Sequence, residues 1–419
     1  MGIFFYNIFL ILYTAGIRIA SLFNRKARAW VKGRKNLFTE LRQWREHIGP
    51  SAKTVWMHCA SLGEFEQGRP VLEQIKARYP SYKILLTFFS PGGYEIRKDY
   101  PGADGIFYLP ADGKKNAALF TAIVKPHLVL WVKYEYWYHY LTALRDKKIP
   151  VVLVSAVFRE GQPFFNRYGG IWKEMLGCFT RIFVQDEHSV NLLGSVGMAA
   201  QAVPAGDTRF DRVIAIAENR SPLPVHLADF GRGNKLIVAG STWEEDEELL
   251  VHYVKIHPTV KFIIAPHEID NKRLHEAKKL FGNALFYSEY VADNGAPQVL
   301  IIDNIGMLSR LYELADITYV GGGFTNSGIH NILEAAVYGK PVIFGPVYEK
   351  FHEATELSEI GGAFPVNNAL ELEALLNRLF SDKAAAEKAS ALSRNYVYEK
   401  RGATEKILGY LQEKRLLTN

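Results

Sequence analysis

The sequence predicts two Rossmann-like α/β domains, each a parallel sheet covered by helices, facing a central cleft and preceded by an N-terminal membrane-anchor helix. Three observations predict this. Short apolar runs alternate with helical patterns along most of the chain, as βαβ units with parallel sheets require. A Pro-containing stretch, Ser221–Gly233, interrupts the alternation, which then resumes. The 419 residues, at ~150 per domain, leave room for two or three domains. With 48% hydrophobic and 22% charged residues the chain can bury a sizeable core, which excludes a disordered or fibrous protein.

The chain opens on Ile3–Phe23, 21 residues interrupted by Asn7, Thr14 and Arg18. That length suffices for a membrane-spanning helix, and the polar residues also suit a helix lying in the interface. No positive region precedes it and no A-x-A-like site follows, which argues against a signal peptide. A helix packed on the protein is the plainer alternative. Residues 1–50 carry nine Lys/Arg against Glu40 and Glu46, a net +7, so the remaining residues sum to −1. The cluster Arg25–Lys35 flanks the apolar segment on its C-terminal side, where it would face anionic headgroups and hold the body in the cytoplasm. A nucleic-acid binder would spread such charge over a folded face, so no nucleic-acid partner is expected. Cys59 and Cys178 cannot build a disulfide framework and suit a reducing compartment.

Six strands are expected in the first domain: Val55–Cys59, Ile84–Phe88, Ile106–Leu109, Leu128–Trp131, Val151–Val154 and Ile182–Val184. Helical periodicity follows at Phe65–Tyr79 and Tyr134–Arg145. Five strands are expected in the second: Leu236–Ala239, Phe262–Ala265, Val299–Ile302, Ile317–Val320 and Val342–Phe344. The expected boundaries are an anchor and basic flank at 1–35, a first α/β domain at 36–210, a linker at 211–233 and a second α/β domain at 234–390. A last helix at 391–419 is expected to pack back on the first domain. Ligands of such sheets bind at the carboxyl ends of strands, so functional motifs should follow strands.

Ser61-Leu62-Gly63-Glu64 follows the first strand. Gly63 would permit a tight turn, and Glu64 is open to two readings: a general base, or an acid capping the first helical turn. Glu135, after Leu128–Trp131, could bring a second carboxylate to the same cleft, or begin a solvated helix. Arg209 in Gly206-Asp207-Thr208-Arg209-Phe210-Asp211 could hold an anionic leaving group, or pair with Asp207 or Asp211 across the domains. In the second half, Ile317–Val320 runs into Gly321-Gly322-Gly323, with a helix expected near His330–Ala335. Backbone N–H groups of the turn and helix N-terminus would bind phosphate, and Glu334 would take ribose hydroxyls. Ser241, Thr242, Pro266, His267 and the segment Asp303–Met307 would line the same rim. The acidic run Glu244–Glu248 reads as a helix start rather than a metal site. No metal site, Walker loop or dinucleotide fingerprint is present in the sequence.

Taken together, S-L-G-E at 61–64, E-x-W at 135–137, G-D-T-R-F-D at 206–211, V-G-G-G at 320–323 and H-N-I-L-E-A at 330–335 resemble the lipid A Kdo (3-deoxy-D-manno-octulosonic acid) transferases. The resemblance covers nearly the whole chain. It implies a GT-B glycosyltransferase of the bacterial inner membrane, with its catalytic domains on the cytoplasmic face. The implied reaction moves Kdo from CMP-Kdo to a lipid A precursor, lipid IVA, in lipopolysaccharide synthesis, with inversion and without metal or cofactor. Glu64 matches the family's general base, Glu135 a carboxylate that organises the transition state, and Arg209 a usually lysine position supporting the leaving phosphate. Ser61 and Gly63 fall on the acceptor side. CMP contacts would fall on Pro266, His267, Ile305, Gly306, Met307, Gly322, Gly323, His330, Asn331, Ile332, Leu333 and Glu334, with Ser241 and Thr242 beside them. The chain departs from the family pattern at Lys133, His267, Met307, Ile329 and Tyr138-His139. Two other readings are a GT-B enzyme using a UDP-sugar on another lipid-linked acceptor, and a non-catalytic membrane-tethered binding protein.

Overall fold

The structure, a computed structural model, describes residues 2–133, 135–219, 223–291 and 297–418. Tyr134, which opens the expected helix Tyr134–Arg145, and Ser221 and Pro222 of the Pro-containing stretch lie outside the described residues. The chain divides into two compact units, residues 1–212 with 401–419, and residues 213–400.

The first unit is built on β1 (Thr54–Cys59), β2 (Lys83–Phe88), β3 (Gly105–Tyr108), β4 (Leu128–Val132), β5 (Val151–Ala156), β6 (Arg181–Val184) and β7 (Ala202–Pro204). They run parallel in the order β3-β2-β1-β4-β5-β6-β7. Alternate residues of each strand enter separate cores. Val55, Met57 and Cys59 join the layer of helices Leu62–Arg78 and Ala403–Glu413. Trp56 joins the layer of helices Gly2–Ala20, Leu37–Ile48, Lys114–Val124 and Tyr138–Asp146. Gly68 lets the helix Leu62–Arg78 lie close on the sheet, because a Cβ there would meet Met57 Sδ at 2.8 Å and Val132 Cγ2 at 2.9 Å.

The second unit is built on β8 (Leu236–Thr242), β9 (Lys261–Pro266), β10 (Ala284–Phe286), β11 (Val299–Ile301), β12 (Ile317–Val320), β13 (Val342–Phe344) and β14 (Ala363–Pro365). Its order is β10-β11-β9-β8-β12-β13-β14, again parallel. The eleven expected strands coincide with eleven of these fourteen; β7, β10 and β14 were not expected.

The segment 391–419, expected as one helix, contains the end of Lys383–Glu399, in the second unit, and Ala403–Glu413, in the first. Asp211 accepts the N–H groups of Gly402 and Thr404, each at 2.6 Å, and so caps that last helix from a distant part of the chain.

The N-terminal helix Gly2–Ala20 is long and apolar enough to cross a membrane by length and composition. It is also packed on the first unit along one stripe, with Tyr6 and Leu10 buried, while Phe4, Phe5, Ile8, Phe9, Ile11 and Leu12 are exposed. The packed-helix alternative and an outward apolar face are therefore both present in one element.

Candidate active site

In the first unit the chain fills β2 and β3 on one side of β1, then crosses to β4 on the other. β1 and β4 thus flank the point where strand order reverses, the place at which open α/β sheets bind ligands. Glu64 follows β1 and Glu135 follows β4. The Ser61 hydroxyl accepts the Glu64 N–H at 3.4 Å and caps the helix Leu62–Arg78. The Glu64 carboxylate, 7% exposed, reaches back to accept the Ala60 N–H. This is a capping box displaced by one residue, so the capping reading describes how the carboxylate is held. Burial, together with the nearby Glu64 and Glu135 charges, pushes the Cys59 thiol well above its usual range. Gly63 does not form the expected tight turn. It lies inside the helix, and a Cβ there would meet nothing nearer than Ser61 Oγ at 4.0 Å.

Glu135 differs from its expected place at a helix start. Lys133 takes a left-handed φ of 64°, and the helix begins only at Tyr138. Glu135 is held from within its own segment and from the strands beside it. Glu135 Oε2 accepts Trp137 Nε1–H at 2.9 Å and lies 2.9 Å from Nε2 of His58, a buried residue of β1. His58 Nδ1 is 2.9 Å from Thr87 Oγ1, which accepts Trp56 Nε1–H at 2.8 Å. A carboxylate only accepts, so Nε2 carries a proton; with the ring neutral, Nδ1 accepts from the Thr87 hydroxyl, and the Trp56 indole, the Thr87 hydroxyl and both His58 nitrogens each have a partner.

The Arg209 guanidinium pairs with Asp207 at 2.7 Å, within the first unit, while Asp211 serves the cap described above.

In the second unit strand order reverses between β8 and β12. The glycine triplet is fixed by packing. Cβ atoms on Gly321 and Gly323 would lie 2.4 Å from Ser241 O and 2.5 Å from Gly345 Cα, and Gly322 has a φ of 94°. The expected phosphate cradle is corrected here, because two of its N–H groups are already used. Gly321 donates to Gly240 O at 2.9 Å and Gly322 to Asp246 Oδ2 at 2.8 Å. Asp246 also accepts from Trp243 N and Tyr319 Oη, so the acidic run Glu244–Glu248 opens the helix Glu244–Ile256 and locks the turn.

The helix expected from His330 is the four-residue Leu333–Ala336, too short to sum a macrodipole. Gly339, at a φ of 66°, and Pro341 follow it closely. Asn331 Oδ1 accepts the Leu333 N–H at 3.3 Å, and its Nδ2 donates to Glu334 at 3.2 Å.

Above the triplet the rings of Trp243, His267 and His330 form a column, with centroids 4.8 and 4.3 Å apart. Trp243 Nε1–H donates to His330 Nε2 at 3.2 Å. Burial, and then the charge of His267, lowers the His330 pKa to about 4, so its imidazole is neutral. Ser241 (φ 54°) and Thr242 occupy a bulge of β8, and Pro266 ends β9. Ile305 is exposed beside Gly306 (φ 97°) and the buried Met307.

Residues 38–212 match the family described as 3-Deoxy-D-manno-octulosonic-acid transferase (kdotransferase). A 3-deoxy-D-manno-octulosonic acid transferase of Aquifex aeolicus is 30% identical over 341 residues, which cover 78% of this chain and 86% of that protein. The chain belongs to the Kdo transferase family. The like-named protein of Haemophilus influenzae is 26% identical over 379 residues, 87% of either chain. The UDP-GlcNAc 2-epimerase of Neisseria meningitidis superposes with a TM-score of 0.61 at 16% identity, over 86% of this chain and 100% of that one. That likeness shows the fold alone. This member of the Kdo transferases is thus a glycosyltransferase of the GT-B fold. Sequence reading of its site missed His58, Thr87, Trp243 and Asp246. The available signals were a histidine inside an apolar strand, and a tryptophan directly after Ser241-Thr242.

Proposed function

We propose that the protein transfers Kdo from CMP-Kdo to a hydroxyl of a lipid A precursor, lipid IVA, with inversion and without a metal ion. One observation supports this beyond family membership: Glu64 and Glu135 stand at the ends of the two strands that flank the reversal of the first sheet. Glu64 acts as general base, deprotonating the acceptor hydroxyl as it attacks the anomeric carbon. Its anchorage on the Ala60 N–H keeps it oriented for that step. Glu135, tied to His58 and Trp137, organises the transition state. Arg209 supports the departing phosphate. The second unit takes the CMP moiety, with Ser241, Thr242, Pro266, His267, Gly322, Gly323, His330 and Asn331–Glu334 around it and Ile305–Met307 at the edge. The neutral His330 accepts from Trp243 through Nε2, which leaves its Nδ1–H as a donor.

The N-terminal helix seats the enzyme on the cytoplasmic face of the inner membrane. One stripe of it, with Tyr6 and Leu10, packs on the first unit, so it lies along the interface with its apolar face in the acyl boundary and the exposed Arg25, Lys26, Arg28, Lys32 and Lys35 among anionic headgroups.

The test is transfer from freshly generated CMP-Kdo to a lipid A precursor in detergent, with EDTA throughout, for wild type and Glu64→Ala. The expected result is product from wild type and a loss of about 10²–10⁴ in rate for the folded variant. Consumption of a UDP-sugar in place of CMP-Kdo would reject the donor, and full activity of the variant would reject the base.

A further inference from the structure

Helix Tyr138–Asp146 begins directly after Glu135-Tyr136-Trp137, and its N-cap residue, Trp137, supplies no side-chain cap. The first three N–H groups of the helix are nevertheless all met. His139 and Tyr140 donate to the two oxygens of Asp112, at 3.1 and 3.2 Å. Tyr138 donates to the hydroxyl of Tyr6 at 3.1 Å, and that hydroxyl in turn donates to Asp112 Oδ2 at 2.7 Å. The N-terminal helix therefore completes the cap of the helix that follows Glu135.

Two further contacts come from the same stripe of that helix. Asn7 Oδ1 accepts from His139 Nε2 at 2.7 Å. Tyr13 stacks on Phe89, which packs on Trp137 with centroids 4.9 Å apart, and the Trp137 indole N–H holds Glu135. Residues 6, 10 and 13 recur at the spacing of one helical face. The hydroxyl of Tyr6 is not required for packing, since a phenyl ring would fill the same space. It is placed where it answers two buried polar groups, an N–H and a carboxylate.

We propose that the N-terminal helix is a positioning element of the active site: Tyr6 fixes the start of helix Tyr138–Asp146 and, through it, the Glu135 carboxylate. Seating of the helix and organisation of the catalytic segment are then one event. This rests on the reading of Glu135 as part of the site.

The test is Tyr6→Phe in the full-length protein. It keeps the ring and leaves the Tyr138 N–H buried without an acceptor. Transfer is measured in detergent, attachment is measured on vesicles containing anionic lipid, and amide exchange is followed on the peptide spanning 136–142. The expected result is a kcat about ten-fold lower, an acceptor KM within about two-fold of wild type, unchanged vesicle attachment and faster exchange in that peptide. Wild-type kcat in the variant overturns the proposal, whether or not exchange rises, and so does a loss confined to KM. Should wild type fail to transfer Kdo, the functional reading falls, and unchanged exchange would then overturn the structural coupling separately.

Discussion

At the scale of single residues, the site depends on polar side chains that answer one another. The Trp56–Thr87–His58–Glu135 chain has one consistent direction of donation, and Thr87 sits at its centre. Thr87→Val preserves shape but leaves the Trp56 indole N–H and His58 Nδ1 without partners. Each such loss costs about 1–3 kcal/mol, so urea unfolding of the first unit should shift by about 2–6 kcal/mol. An unchanged midpoint would mean that the network contributes nothing to the fold. His330 offers a second residue-scale prediction. Its folded pKa, about 4, lies below the ordinary value of 6.5. The group therefore favours folding above the unfolded pKa and loses that contribution as pH falls from about 6.5 to 4. The full difference corresponds to roughly 3 kcal/mol, less where solvent reaches the ring. His330→Gln should accordingly show a smaller fall in stability than wild type over that interval, and an identical fall would place the proton elsewhere. Glu64 and Glu135 were legible because each follows an apolar strand within a motif. His58 and Thr87 were not, because a polar residue that is satisfied inside a strand leaves the run looking apolar.

At the scale of elements, legibility followed burial. The eleven strands read from apolar runs include every central strand of both sheets. The three missed, β7, β10 and β14, have three residues each and lie at sheet edges. An edge strand pairs on one side only, so it needs no long apolar run to be held. The helix expected from His330 shrank to Leu333–Ala336 because Gly339 and Pro341 stop it, while Asn331 spends its side chain on capping. The Glu135 segment failed as a helix for the opposite reason. Its aromatic residues look helical in spacing, yet Trp137 turns to Glu135 and Tyr138 to the N-terminal helix. Tyr138 and His139, the two positions after the tryptophan, are both held from the N-terminal helix, by Tyr6 and Asn7. A long-range partner of this kind, 132 residues away in sequence, leaves no local trace.

At the scale of the whole molecule, one end of the chain closes the first unit and the other equips it for a surface. The last helix returns from the second unit, buries Ile407, Leu408 and Leu411 in the first core and is capped by Asp211. The first helix carries exposed Phe4, Phe5, Ile8, Phe9, Ile11 and Leu12 and is followed by the cluster that makes residues 1–50 net +7. A face of that kind left in water would be an aggregation hazard, whereas a bilayer boundary satisfies both its parts. The two parts respond to different perturbations. Burying a phenylalanine or leucine side chain contributes about 1.5–3 kcal/mol, so Phe5→Ser with Leu12→Ser should weaken partition to anionic vesicles at least ten-fold at any salt concentration. The basic cluster acts through screened charge, near 1 kcal/mol per cation close to the surface at roughly physiological ionic strength. Raising salt to about 1 M contracts the screening length to about 3 Å and should weaken wild-type partition to anionic vesicles, with little effect on neutral ones. Flotation assays across both variables separate the contributions. Partition indifferent to the two substitutions would mean that the helix stays against the protein and that the cations alone carry the enzyme to its lipid.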